Sequence, residues 1–371
     1  MASSYREQRK AENELKVREI QKELPPIVGD FMRSILTNSD LTRLGYIQDL
    51  RTFFYFLTRE LPDFADVSPA EVTVEQLGNL KLREMEMYKE YLHLYKKPVY
   101  GRKSKEAVEE EGAEEDDDKR KTDGLTKNDE SGMARKLCSL RAFFKYLYMH
   151  ELIEQNVTEK LKVPPAPKKE IIYLNKEEIA RVLHIVQTGE GMSERQKKYQ
   201  ESMRVRDVAI LFLLLGTGIR ASELVGMDIE SINFEKNSFF VDRKGNKEMT
   251  LSFNSNVANA LKEYMQMRQQ IIPCKGHEHA LFLSTQKKRL TVRALQNLVQ
   301  KYAKAAVPDK QHLSPHKMRS SFGTALYEKS GDIDLVAEVL GHTNVNTTKK
   351  HYIHENEKRR EEAAGMVDWT E

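Results

Sequence analysis

The stretch RVRDVAILFLLLGTGIRASELVGMDI, residues 204–229, decides how the second half of the chain is read. Its first part is apolar enough for a central helix, and Gly216 and Gly218 are placed to stop it. Arg220 then follows a glycine turn and opens the next helix, with Glu223 one turn on. An arginine here is either a surface residue paired with Glu223 or a member of a site, and this segment alone leaves both readings open. What surrounds it must decide.

Around this segment the chain alternates helical and strand signals. NKEEIARVLHIV precedes it as a helix, and SFFVD and EMTLSF follow as short strands joined by RKGNK, where Gly245 and Asn246 supply turn conformations. VANALKEYMQMRQQ, TVRALQNLVQKYAKAA and PHKMRSSFGTALYEKS are helical again. The expected fold class is mainly α with a small β-sheet, an α+β domain. In the first half, Tyr46, Leu50, Phe53 and Leu57 form one helical stripe, and Leu137, Leu140, Phe144 and Leu147 form another, with a further helix over 75–95. The first 160 or so residues thus make a separate small helical domain.

The expected boundaries follow. Residues 1–25 read as an N-terminal extension and 26–162 as the helical domain. A disordered acidic insertion near 101–131 contains EAVEEEGAEEDDD, which cannot bury enough apolar surface to offset its ordering entropy. KLKVPPAPKKEIIYL carries an extended linker at 163–172, residues 173–356 form the second domain, and 357–371 is a charged tail holding Trp369, the only tryptophan.

Composition narrows the function classes. The 371 residues and 39% hydrophobic content suit two ordinary domains. Cys138 and Cys274 stand far apart in no metal-binding spacing, which argues against a disulfide framework and for a reducing cytoplasm. No apolar run of membrane-spanning length occurs, and the charged N-terminus is unlike a signal peptide. Sixty basic residues balance 57 acidic ones, but the insertion concentrates the acids, so the remainder is distinctly basic. A polyanionic partner such as nucleic acid and a solvated lysine-rich surface fit that excess equally well.

Three more clusters carry possible chemistry. Lys244 sits at the hairpin tip in DRKGNKE, where a turn lysine is ordinarily just solvated. In LSPHKMRSSF, Ser314 is placed as an N-cap and Pro315 at the first helical position. His316 and Arg319 then fall on one face of a helix N-terminus, which favours an anion. Finally, LGHTNVNTTKKHYIH, residues 340–354, holds a helix stop at Gly341, then His342, His351, Tyr352 and His354. A metal would require the three histidines to converge with a further ligand, and no HExxH pattern appears; no metal and no cofactor are expected.

The array Arg220, Lys244, His316-x-x-Arg319, Leu340-Gly341-His342 and Tyr352 resembles the signature of the tyrosine recombinases, the phage integrase family. TGIRASELVGM, RKGNKE, SPHKMRSSFGTAL and LGHTNVNTT are similar to its sequence boxes, and LRAFFKYLYMHELIEQNV to the end of its helical, SAM-like core-binding domain. The resemblance spans about residues 30–355. It implies a catalytic domain in which Arg220 and Arg319 hold the non-bridging oxygens of a phosphodiester while Tyr352 attacks the phosphorus. His316 and His342 add hydrogen bonds, His316 helping to take the tyrosine proton. Lys244 protonates the departing 5′ oxygen, and Glu223 supports Arg220. Tyr302 and Tyr327 compete for the nucleophile's role, but neither follows an LGH box.

The resemblance further implies a 3′-phosphotyrosyl intermediate formed without ATP or metal on double-stranded DNA carrying an inverted-repeat core site. It also implies a homotetramer or heterotetramer across two duplexes, with no membrane association. Absence of an evident arm-binding domain makes the Xer type, which resolves chromosome dimers, the first expectation. A mobile-element integrase or transposase is the alternative, and a non-catalytic DNA-binding protein of the same fold a more distant one. His342 to Tyr352 is one residue longer than the frequent family spacing, and the tail's Trp369 docks either on its own domain or on a neighbouring protomer.

Overall fold

The computed structural model describes residues 5–96, 125–164, 172–243, 247–310 and 313–341. The chain divides into two units, residues 1–169 and 170–371.

In the first unit, α1 (Tyr5–Gln21), α2 (Pro26–Ser34) and α3 (Asp40–Glu60) are followed by α4 (Val74–Gly78), α5 (Leu82–His93) and α6 (Glu130–Met149). The expected helical stripes form its core: Leu50, Phe53, Leu57, Leu137, Leu140, Phe144 and Leu147 are all buried, with Tyr46 packed at the edge. Rings of Phe31, Phe53, Phe143, Phe144 and Tyr88 meet edge to face at centroid separations of 5.1–6.0 Å, an arrangement aromatic quadrupoles favour. Ser39 caps α3 by accepting from the Thr42 backbone N–H, and Asp129 caps α6 through Gly132. Asp49 of α3 accepts from Ser139 Oγ of α6 at 2.8 Å and pairs with Arg135. Burial pushes its carboxyl above the usual carboxylate range, against the opposing pull of Arg135.

Three expectations need correction here. The first residues are not a mere extension: α1 sends Val17 and Ile20 into the core, with Leu24 just beyond its end. The helix expected over 75–95 is interrupted between Gly78 and Leu82, and its last residues become a strand. The two ends of the acidic insertion meet as an antiparallel ladder of β1 (Leu94–Lys96) and β2 (Leu125–Lys127), so residues 125–131 belong to β2 and the start of α6. Residues 101–124 of that insertion, residues 97–100 before it, and residues 165–171 of the expected linker lie outside the described residues.

The second unit is α7 (Lys176–Thr188), α8 (Glu194–Thr217), α9 (Ala221–Gly226), then β3 (Ile232–Asn233), β4 (Ser238–Arg243) and β5 (Lys247–Ser252), then α10 (Ser255–Gln269), α11 (Val292–Ala306), α12 (Pro315–Ser330) and α13 (Ile333–Leu340). This is the mainly α fold with a small sheet read from the sequence. The sheet is antiparallel in the order β3-β4-β5, and the expected hairpin pairs Phe239 with Leu251 and Arg243 with Lys247. Its tip, residues 244–246, and with it Lys244, lies outside the described residues. α8 is the central helix, with Ala209, Ile210, Leu211, Leu213 and Leu214 buried. It runs through Gly216 and stops at Gly218, whose φ of 62° ends it in the left-handed conformation. Within it, Asp207 accepts two hydrogen bonds from Arg206 at 2.7 and 2.9 Å and one from the Tyr302 hydroxyl at 2.8 Å. Among the described residues no helix is long and apolar enough to cross a membrane.

Two glycines with positive φ separate backbone strain from crowding. Gly191, at 76°, has open space where a Cβ would stand, whereas a Cβ on Gly218 would come within 2.5 Å of the Phe322 ring. Gly191→Ala is expected to cost about 1–2 kcal/mol from its left-handed backbone alone. Gly218→Ala adds roughly 1–3 kcal/mol of overpacking to a similar strain. Urea denaturation midpoints of the two variants check the difference.

Candidate active site

The site is assembled on the C-terminal end of α13. A helix leaves its last carbonyls without partners and carries partial negative charge there, so cations gather at it. Gly341 turns the chain out of α13 with φ of 60°, and its N–H returns to Glu338 O at 2.8 Å. The next three carbonyls then go to three arginines from three different elements. Val339 O accepts from Arg243 Nη2 at 3.4 Å, Leu340 O from Arg319 Nη2, and Gly341 O from Arg220 Nη2 at 3.0 Å.

Each arginine is fixed by a second partner. Arg220 occupies the N-cap position of α9. Its backbone N–H donates to Glu223 Oε2 at 3.0 Å, and its Nη1 donates to Oε1 of the same carboxylate at 2.7 Å. The spacing of three residues read from the sequence is therefore a reciprocal cap combined with an ion pair. Arg319, only 4% exposed, projects from the first turn of α12 and donates Nη1 to Gly218 O at 2.6 Å, so the glycine turn after α8 doubles as its anchor. Arg243 ends β4 with its Nε 3.5 Å from Glu223 Oε1. Burial lowers its pKa below the usual guanidinium range; Glu223 opposes that shift and Arg220 adds to it.

The sequence-predicted residues thus fall into two groups. Arg220, Glu223 and Arg319 are brought together around α13. His316 lies in the same first turn of α12 as Arg319, but its side chain is exposed where Arg319 is buried, so the shared face expected from their spacing is split between solvent and interior. Pro315 does start the helix, while Ser314 holds the N-cap position without a side-chain bond. Lys244, His342, His351, Tyr352, His354 and Trp369 lie outside the described residues, although His342 directly follows Gly341 in the chain.

Both competing tyrosines are buried. Tyr302 is fully buried and donates to Asp207. Burial and then the adjacent Asp207 carboxylate push its hydroxyl far above the ordinary phenol range, which disfavours the phenolate a nucleophile needs. Tyr327 is buried in a cluster with Val336 and Leu340.

Arg243 was missed in the sequence, yet a signal was present. Phe239, Val241 and Arg243 are alternate residues of β4 and all are buried, so strand periodicity places the arginine on the inward face. Reading Arg243 as part of a turn hid that periodicity.

Comparison with known proteins identifies relatives of this chain. Residues 173–359 match the model of the phage integrase family. The tyrosine recombinase XerC of Caldanaerobacter subterraneus subsp. tengcongensis is 29% identical over 354 residues, covering 91% of this chain and 86% of the relative. XerC of Escherichia coli O6:K15:H31 is 31% identical over 221 residues, 59% of this chain and 68% of the relative. Among solved structures, the XerH site-specific recombinase bound to a difH substrate aligns with TM-score 0.57 at 20% identity, covering 90% of this chain and 81% of that one. The Tn1549 transposon integrase in complex with transposon right-end DNA aligns with TM-score 0.61 at 18% identity, covering 92% and 98%. Both likenesses are of fold. The chain belongs to the phage integrase family. Within that family it is a Xer-like tyrosine site-specific recombinase.

Glu223 serves two guanidinium groups while only 5% of its side chain is exposed. Removing it leaves Arg243 buried beside Arg220 with no intervening carboxylate, a change that typically costs about 3–5 kcal/mol. Glu223→Ala is therefore expected to lower unfolding free energy by roughly 3 kcal/mol. Glu223→Gln, which retains an acceptor for the Arg220 backbone N–H, should lose clearly less; denaturant titration of both variants checks the order.

Proposed function

We propose that the chain cleaves and rejoins DNA strands at a specific site through a 3′-phosphotyrosyl intermediate, and that its setting is chromosome-dimer resolution. The observation that carries this reading is the convergence of Arg220 and Arg319 on adjacent carbonyls of the turn leading to His342.

The chemistry follows from charge. Attack on a phosphodiester concentrates negative charge on the non-bridging oxygens. Planar, permanently charged arginine forks can bind those oxygens with strength that rises toward the transition state. Arg220 is suited to this because 35% of its side chain is exposed, while Glu223 and Gly341 O hold its orientation. A guanidinium has five N–H donors, so carbonyl bonds do not exhaust its capacity. His316, exposed at the start of α12, assists in removing the nucleophile's proton, and His342 adds a hydrogen bond to the phosphate. Tyr352 attacks the phosphorus and the 5′ oxygen leaves, taking a proton from Lys244 as general acid. The phosphotyrosyl link conserves the bond energy, so religation requires neither ATP nor a metal.

In this reading the unit from residue 173 to 356 is catalytic and the helical unit, with its insertion, is the core-binding domain. The partner is double-stranded DNA with an inverted-repeat core, engaged by a homotetramer or heterotetramer on two duplexes, and a chromosomal target places the protein in the cytoplasm. The XerC relatives favour the housekeeping role over a mobile-element integrase. Phosphate contacts make binding steeply salt-dependent.

The test is covalent capture. Purified full-length protein is incubated in EDTA with fragmented host DNA, denatured with SDS, and the linked DNA is sequenced. The expected result is a protein–DNA adduct at one chromosomal inverted repeat, formed by the wild type and lost in Tyr352→Phe. An adduct persisting in that variant overturns the assignment of the nucleophile. Adducts at the ends of an integrated element assign the mobile-element role instead.

A further inference from the structure

We propose that Arg243 is a positioning residue for cleavage, setting Arg220 and the α13 turn in the arrangement that grips the scissile phosphate. This rests on the reading above and adds a third arginine to it.

Several observations converge on Arg243. It is a cation only 8% exposed, an environment that charged side chains rarely occupy without defined partners. Its Nε lies 3.5 Å from the same Glu223 oxygen that receives Arg220 Nη1 at 2.7 Å, so the two arginines are coupled through one carboxylate. Its Nη2 donates to Val339 O, one residue before the carbonyl held by Arg319 and two before that held by Arg220. Finally, a Cβ on Gly341 would run into the Arg243 guanidinium, so the glycine at the end of α13 makes room for that group. Arg243 also ends β4 immediately before Lys244 in the chain, so its seat fixes the base of the hairpin.

These contacts give Arg243 no need to touch substrate. It acts through Glu223 and through the α13 turn, both of which aim Arg220. A fork displaced by about 1 Å loses on the order of 10²-fold in rate. The loss should concern the arginine–phosphate interaction specifically, and that separates positioning from a general contribution to folding.

The experiment compares wild type, Arg243→Met and Arg243→Lys in single-turnover cleavage of a nicked duplex carrying the site captured above. One series has the normal scissile phosphate. A second has a methylphosphonate there, in which methyl replaces one non-bridging oxygen and the linkage is neutral. On the phosphate, Arg243→Met is expected to be slower by about 10²-fold, with Arg243→Lys in between. On the methylphosphonate, where the arginine grip matters less, the gap between wild type and variant should shrink by at least about tenfold. DNA binding in a gel-shift titration should be unchanged. Equal rates for wild type and Arg243→Met on the phosphate overturn the proposal, as does an equal deficit on both substrates. If Arg243→Met does not fold, Arg243→Lys carries the same comparison, because it keeps the charge and loses the fork. Absence of any adduct with wild type on the normal phosphate overturns the cleavage reading itself, whereas a wild-type adduct with no Arg243 effect overturns this inference alone.

Discussion

Three like charges can share one small volume only if something of opposite sign stands between them, and in the second unit that is the C-terminal end of α13 together with Glu223. Consecutive carbonyls of Val339, Leu340 and Gly341 each accept from a different arginine. Because those carbonyls lack helical partners of their own, the arginines satisfy α13 while α13 holds the arginines. Each fork comes from an element distant in sequence: the end of β4, the start of α9 and the first turn of α12. Local structure, tertiary packing and site geometry therefore meet in one short turn.

Two of the left-handed glycines have their reasons in the same place. Gly218 ends α8 so that its carbonyl faces Arg319 and its Cα lies beneath Phe322, and Gly341 ends α13 where a side chain would expel Arg243. Both are conformations that only glycine adopts at little cost. The sheet contributes by register: with Phe239 and Val241 facing the core, period-two alternation carries Arg243 inward as well.

Much of this is legible in the amino-acid sequence. Apolar spacing found α3 and α6, whose stripes are long enough to repeat, and the longer helices of the second unit. The Arg220–Glu223 spacing was visible too, although whether it marked a surface pair or a site depended on partners far away in sequence. What escaped reading had physical causes. β1 and β2 are three residues each, too short for an alternation to register. α1 carries its buried Val17 and Ile20 among many charges, which made it look like a solvated extension. Arg243 was hidden by its residue type, since a charged residue beside a turn is ordinarily at the surface.

Two arginine–carboxylate pairs in this unit show why residue type alone does not mark a working group. Arg206 and Asp207 are sealed, at 5% and 0% side-chain exposure, and Asp207's other oxygen is taken by Tyr302. Arg206 also donates to Leu283 O, so the pair ties α8 to Tyr302 of α11 and to the loop before that helix. Arg220 and Glu223 make a bond of the same 2.7 Å length, but at 35% and 5% exposure the carboxylate is interior and the guanidinium reaches solvent. Holding a fork from behind costs its rotamer freedom in advance, during folding rather than at the moment of binding. A phosphate arriving at such a group meets an oriented donor array, and the ordering it would otherwise have to impose is already present in Glu223, Gly341 and the chain that joins them.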